Sequence, residues 1–326
     1  MKAVWYERLG GPEVLTYGEL PTPKPAPGEV LVRLATSGVN PSDWKSRSGT
    51  TGRPMGFPRV VPHSDGAGTV EAVGEGVDKA RIGERVWIWN GQWKRAFGTA
   101  AERIAVPSAQ AVRLPENTGF DEGACLGIPA LTALHAVLTD GGVSGQRVLV
   151  AGGAGSVGHY AVQFARLLGA AQVLATVSSE EKAAHAMSAG ADAAIDYKRQ
   201  DVAERVAALT GGRGVDRVVE VDIAGNDAVL PALLAPGGLV AVYGSNAAVA
   251  QIAFGPAILK GIAFRFFIVY ELDAAQRATA LGALNGWLER GLLRHAVAAR
   301  VPLAECARAQ QAVQEGKHIG NVVLDC

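Results

Sequence analysis

Cysteine is scarce: 326 residues hold only Cys125, Cys306 and Cys326, and residues 1–124 contain none. Three scattered thiols build neither a disulfide framework nor a cysteine-ligated metal cluster. Net charge is absent as well, with 31 Lys and Arg balancing 31 Asp and Glu. The electrostatic footprint of a nucleic-acid or anionic-membrane binder is therefore missing. No run reaches the roughly 18 uncharged apolar residues of a membrane span, and the opening Met1-Lys2-Ala3-Val4-Trp5-Tyr6-Glu7-Arg8 lacks the apolar core of a secretion signal. A cytoplasmic protein is the expectation. Repeats and low-complexity tracts are also lacking. The chain is rich in glycine, with 41 residues, and in apolar side chains, at 48%. That is material for a sizeable core in about two domains, with glycines placed in the turns.

Residues 1–120 read as short strands without long helices, with candidates at 30–35, 66–73, 85–89 and 101–106. Pro21, Pro23, Pro25 and Pro27 form an extended surface segment, since proline brings no N–H to a ladder. Such strands imply a barrel-like domain. From Asp121 onward helices and strands alternate. Helical spacing over 128–138 is followed by strands at 148–151, 172–177, 193–195, 215–221, 238–243 and 262–269. This predicts an α/β class with a doubly wound parallel sheet over residues 121–270. A helix at 274–290 and strands at 297–301 and 322–324 return to the first domain, which then comprises 1–120 and 271–326.

The densest signal follows the strand at 148. Gly153, Ala154, Gly155, Ser156, Val157 and Gly158 fit G-x-G-x-x-G between a strand and a helix. A dinucleotide pyrophosphate needs bare backbone N–H groups at a helix N-terminus, where the dipole favours an anion. The next strand ends in Ser178 and Ser179, with Lys182 one turn on and Tyr197, Lys198 and Arg199 at the end of the third strand. Serines accept a 2′-phosphate that an acidic residue would repel, which favours NADPH over NADH. Glu180 leaves an opposite outcome open, because a two-residue shift of the strand end would set its carboxylate on the ribose.

With these residues in view, the chain resembles the medium-chain dehydrogenase/reductase superfamily, and within it the zeta-crystallin-like quinone oxidoreductases. The likeness rests on Gly10-Gly11-Pro12-Glu13-Val14-Leu15, on Gly38-Val39-Asn40-Pro41-Ser42-Asp43, on Gly145 through Leu149 with the glycines, Gln163 and Arg166, and on Thr210-Gly211-Gly212-Arg213-Gly214-Val215-Asp216. Ser156 departs from it, standing where the signature has glycine. The resemblance implies a GroES-like β-barrel beside a Rossmann domain. It sets Thr132 near the nicotinamide and Gly244, Ser245 and Asn246 along the ribose and pyrophosphate. Phe267 and Ile268 would offer backbone to the carboxamide, and Asn321 would lie in a C-terminal loop near the 2′-phosphate.

The superfamily's alcohol dehydrogenases hold catalytic zinc on a cysteine and a histidine. Here Asn40 and Ser64 stand at those positions, and His63 is one residue off, which in a strand points it to the other face. No zinc ligand set can be assembled, so a metal-free site is expected. Hydride transfer from NADPH to a quinone or related conjugated carbonyl suits such a site, because the incoming charge spreads over a conjugated oxygen. Asn40 would contact the nicotinamide ribose or substrate carbonyl. Lys45 would donate a proton with Asp43 paired to it, unless the two are merely a surface ion pair. Trp44, Trp89 and Trp93 offer an aromatic wall or simply core. Reduction of an enone or acyl-thioester, and a cofactor-binding protein with little turnover, stay open as alternatives. Similar proteins form homodimers through the sixth Rossmann strand, which residues 262–268 would supply.

Overall fold

The first part of the chain folds into strands whose residues are buried at consecutive positions, so that, with successive side chains pointing to opposite faces, both faces of these strands are covered. The computed structural model describes all 326 residues. β1 (Lys2–Trp5) pairs antiparallel with β2 (Thr16–Glu19). They precede β3 (Glu29–Val39), β4 (Asp65–Val73), β5 (Arg85–Ile88), β6 (Arg103–Pro107) and β7 (Ala111–Arg113). β3 runs past the expected 30–35 to Val39. The polar residues that interrupt its apolar pattern, Thr36 and Ser37, are fully buried and hydrogen-bonded to Asp121 and Thr99. This extension delivers Asn40 to the start of the helix Pro41–Ser48, where proline at the first position suits the missing intrahelical bond.

The second part of the chain holds β8 (Arg147–Val150), β9 (Gln172–Val177), β10 (Ala193–Asp196), β11 (Val215–Glu220), β12 (Leu234–Val242) and β13 (Ala263–Phe266). All six pair in parallel in the order β10-β9-β8-β11-β12-β13. That is the dinucleotide-fold order, with its switch point between β8 and β11. Val148, Val150, Val173, Leu174, Val219 and Val240 are completely buried, as expected of a sheet covered on both faces. β14 (Val297–Pro302) and β15 (Asn321–Asp325) join the first sheet, giving β14-β15-β3-β4-β5-β7 with β6 on β3. Contacts divide the chain into two units, Met1–Ile128 with Asn285–Cys326, and Pro129–Leu284.

Two local differences from the sequence expectation have simple causes. The segment Leu126–Ala130 is a π-helical turn, and the α-helix begins only at Leu131, because Pro129 cannot donate to a helical ladder. The sixth strand stops at Phe266, although the Phe267 N–H still donates to Val242 O at 3.1 Å. A cavity of about 690 Å³ opens at the amino-terminal ends of β8 and β11. It lies away from the glycine turn, and its half-buried Arg147 and buried Arg217 serve structure. Arg147 forks onto Asp216, and Arg217 donates to the carbonyls of Ala136, Thr139 and Gly142 at the end of the helix Leu131–Leu138.

Candidate active site

The glycine turn is fixed by backbone. Gly152 takes φ +67°, its N–H donates to Thr176 Oγ1 at 3.0 Å, and the Gly153 N–H donates to Thr176 O at 3.0 Å. A Cβ on Gly158 would stand 2.1 Å from the Gly152 carbonyl oxygen, and one on Gly153 would stand 2.5 Å from the Ala175 Cβ. The helix Ser156–Leu167 therefore packs directly on the turn that feeds it. Its N-cap, Gly155, is exposed and supplies no side-chain cap. Backbone N–H groups of Ser156, Val157 and Gly158 thus form an anion seat that fits a dinucleotide pyrophosphate.

The corner beyond β9 is built by two turns meeting. β9 ends at Val177, and the Tyr197 N–H donates to Val177 O at 3.1 Å, which brings exposed Tyr197 beside Ser178. Ser179 is the N-cap of the helix Glu180–Ser188. Its hydroxyl accepts from the Lys182 N–H at 3.3 Å, so that oxygen is committed to the helix. Glu180 is the first helical residue, and its carboxylate pairs with Arg199 at 3.0 Å.

Beyond β12, a Cβ on Gly244 would stand 2.2 Å from the Val221 carbonyl oxygen. Asn246 donates through its backbone N–H and through Nδ2 to the two carboxylate oxygens of Asp222, each at 2.8 Å. Ser245 Oγ donates to Ala247 O. Behind them, buried Glu220 accepts from the Asp222 N–H and from Asn226 Nδ2, and burial raises its pKa. The Phe267 ring meets His135 edge-on at 4.6 Å, Ile268 is exposed, and Thr132 is buried in the helix Leu131–Leu138. Asn321 departs from the expected loop position. It is the first residue of β15, buried in the other unit, and its N–H and Nδ2 both donate to Ala296 O. Its side chain is consumed by strand pairing.

In the first unit, two buried carboxyls grip Asn40. Asp43 Oδ2 accepts from the Asn40 backbone N–H at 2.6 Å, and Asp65 Oδ2 accepts from Asn40 Nδ2 at 2.8 Å. Asp65 Oδ2 also accepts from the Ile128 N–H at 2.9 Å, in the π-helical turn. Burial pushes Asp65 up to about 7. It also lifts Asp43 well above the usual carboxylate range, with Asp65 adding to the rise. The expected pairing of Asp43 with Lys45 is replaced by this inward bond, because Asp43 caps the helix it begins. Lys45 Nζ lies over the Trp44 ring, 5.8 Å from its centroid. Trp44, Trp89 and Trp93 are only half-buried, whereas Trp87 is the tryptophan of the core.

His63 lies just before β4 with φ +74°, so its direction comes from a left-handed turn rather than from strand alternation. Its ring is buried between Ser37 Oγ at 3.1 Å and Gln310 Nε2 at 3.1 Å, and Arg47 Nε fixes the Gln310 amide by donating to Oε1 at 2.7 Å. Burial pushes His63 down to about 3. Ser64 Oγ accepts from the Gln92 N–H at 3.4 Å. An amide, a hydroxyl and an imidazole turned inward to Gln310 do not fit a zinc ion, which takes thiolate, imidazole or carboxylate in a tetrahedral set. Sequence reasoning found neither Asp65 nor Asp222 as a site residue. The signal for Asp222 was a carboxylate just past the fourth Rossmann strand.

Known proteins match over both units. The alcohol dehydrogenase GroES-like domain model matches residues 26–116, and the zinc-binding dehydrogenase model matches residues 156–284. A quinone oxidoreductase of Pseudomonas aeruginosa is 34% identical over 330 residues, 99% of each chain. A 2-haloacrylate reductase of a Burkholderia species is 32% identical over 99% of this chain and 98% of its own. The crystal structure of Escherichia coli quinone oxidoreductase complexed with NADPH superposes over 100% of both chains with TM-score 0.90 at 26% identity.

Two outcomes follow from this geometry. Gly158→Ala should cost about 3 kcal/mol in urea unfolding, since its methyl meets a backbone carbonyl. Gly155→Ala, whose Cβ would stand 3.3 Å from its nearest neighbour, should cost less than about 1 kcal/mol. Equal costs would contradict the packing assigned to Gly158. The second outcome concerns pH. Native His63 stays neutral where the unfolded chain protonates, so its contribution is full above pH 6.5 and falls away towards about 3. Asp65 has the opposite sign. Its contribution is full below pH 3.8 and is lost as pH rises through about 7. His63→Asn tolerates the left-handed turn and leaves the Asp65 slope unopposed. Its urea midpoint should therefore fall more steeply than wild type between about pH 4 and 7, and parallel profiles would refute the assignment.

Proposed function

The chain belongs to the medium-chain dehydrogenase/reductase superfamily, among its quinone oxidoreductases, and we propose that it transfers hydride from NADPH to a quinone or related conjugated carbonyl without zinc. The observation that carries this proposal is the anion seat at residues 153–158, whose bare backbone is enforced by the Gly158 contact. Backbone N–H groups of Ala154, Ser156, Val157 and Gly158 hold the pyrophosphate, while Gly153 and Gly155, whose own N–H groups close the turn onto Thr176 O and Gly152 O, leave room for it. Ser178, Lys182 and Tyr197 take the 2′-phosphate, with Ser179 contributing through the helix it caps. Glu180 pairs with Arg199 at the surface of that corner, which offsets the carboxylate charge that would favour NADH. Gly244, Ser245 and Asn246 line the ribose in a loop held by Asp222. Thr132 and the backbone of Phe267 and Ile268 orient the nicotinamide. Asn321 is dropped from the cofactor set, its side chain being bound to Ala296.

Bound NADPH supplies the hydride. The protein's work is positioning, exclusion of water and delivery of the matching proton, so that quinone, hydride and proton give hydroquinone. Asn40 hydrogen-bonds the substrate carbonyl or nicotinamide ribose, and Lys45 delivers the proton. Asp43 acts only through Asn40. An enone is the second reading, favoured by the likeness to a 2-haloacrylate reductase across nearly the whole chain. An activated C=C accepts hydride by the same logic.

Fluorescence titration with NADPH and NADH, then turnover of 1,4-benzoquinone, 9,10-phenanthrenequinone, 2-haloacrylate and a crotonyl thioester with and without chelator, tests these roles. NADPH should bind about tenfold more tightly than NADH, and Lys182→Ala should abolish most of that preference. Quinones should be consumed at rates that chelator leaves unchanged. Faster turnover of the haloacrylate would transfer the assignment to enone reduction. Tight NADPH binding without consumption of any acceptor would leave a cofactor-binding protein.

We also place this enzyme in the cytoplasm as a homodimer. No helix is long and apolar enough to cross a membrane, and Cys125 and Cys306 are buried free thiols. β13 is an outer strand of its sheet, paired only with β12, and Phe254, Ile258, Leu259 and Phe266 are 76%, 61%, 88% and 62% exposed nearby in sequence. An open strand edge with exposed aromatics calls for a covering partner. Sedimentation should report twice the 33.7 kDa chain mass for wild type and the single mass for Phe266→Glu. A monomeric wild type would exclude the dimer.

A further inference from the structure

Asp65 is buried completely and does three things with one carboxyl. Oδ2 accepts from Asn40 Nδ2 and from the Ile128 N–H, and Oδ1 is buried with no hydrogen-bond partner. Room for Oδ1 exists only because residue 127 is glycine, where a Cβ would come to 2.3 Å of it. A charged oxygen left bare in the interior is costly, whereas a neutral carboxyl with its proton on Oδ1 is far less so. In that state Oδ2 remains an acceptor, and the bonds to Asn40 and Ile128 persist.

From this arrangement we infer that Asp65 is a positioning residue that fixes the rotation of the Asn40 amide, an inference that rests on the proposed reduction and on the role of Asn40 in it. A planar amide has two faces to offer, an oxygen acceptor and an NH₂ donor. With the Asn40 backbone N–H held by Asp43 and Nδ2 held by Asp65, the side chain cannot rotate without losing a buried hydrogen bond. Flipping the amide would set Oδ1 against Asp65 Oδ2, acceptor against acceptor. Asn40 therefore keeps one amide orientation, with its oxygen towards the Asp43 N–H in the capping box and its second amide hydrogen presented in one direction only. Preorganisation of that kind matters in a site with no metal to orient a carbonyl.

The test uses the full-length protein with NADPH and 9,10-phenanthrenequinone. Asp65→Ala should lower kcat by about 10- to 100-fold, as a misplaced contact group does, with the NADPH dissociation constant within about twofold of wild type. Asp65→Asn keeps an acceptor oxygen for both donors and should retain kcat within about threefold. In an Asn40→Ala background, Asp65→Ala should cause no further loss, since the residue acts through Asn40. Unchanged turnover in Asp65→Ala, equal losses in the Ala and Asn variants, or independent losses in the double variant would each overturn the inference. Should Asp65→Ala fail to fold, Gly127→Ala displaces the carboxyl while keeping it, and the same dependence on Asn40 is expected. A wild type that binds NADPH yet reduces no quinone or enone removes the proposed function together with this inference. An active wild type matched by Asp65→Ala removes this inference alone.

Discussion

A missing methyl group governs the second unit. With a Cβ at position 158 the helix Ser156–Leu167 could not approach the Gly152 carbonyl, and its first-turn amides would withdraw from the end of β8. Everything assigned to the dinucleotide depends on that approach, because the seat is made of backbone and has no side chain that could compensate. The same logic operates at Gly244, packed against Val221 O where β11 ends. Both close approaches flank the switch point between β8 and β11, where the parallel order leaves a crevice.

The second unit was legible in the sequence because its elements declare themselves locally. Buried parallel strands read as unbroken apolar runs, and the glycine spacing sits where strand turns to helix. Strand ends mattered most at residues 177–180, where two positions separate Ser178 from Glu180. The sequence left that open. The structure ends β9 at Val177, caps the next helix with Ser179 and pairs Glu180 with Arg199, and pairing of that kind is invisible to periodicity. The place of Asn321 at the start of β15 was hidden for a related reason, since nothing local says that both of its donors find Ala296 O.

The first unit was read less completely. Its strands were visible, but β3 continues through Thr36 and Ser37, whose polarity suggested an end. Their partners, Asp121, Thr99 and His63, lie 26 to 85 residues away. His63 was excluded as a ligand on strand alternation, whereas a left-handed backbone turns it into a buried chain running through Gln310 to Arg47. A positive φ at a histidine has no sequence signature beyond the residue's modest tolerance for it.

Asn40 stands at the position that the resemblance gives to a zinc-ligating cysteine, and an amide there makes different demands on its surroundings. A zinc ion fixes its ligands through short, directional bonds and stabilises charge by itself. An amide in the same place is held by weaker bonds and has a pseudo-symmetric flipped state, so its orientation needs independent restraints on the backbone and on the side chain. Asp43 supplies the first and Asp65 the second. Burial raises the pKa of both carboxyls, and at Asp43 the neighbouring Asp65 adds to the rise. A neutral carboxyl with its proton on Asp65 Oδ1 would leave Asn40 undisturbed, since Oδ2 accepts in either state. The constraint reaches Gly127, which must stay bare for the Asp65 carboxyl to sit where it does.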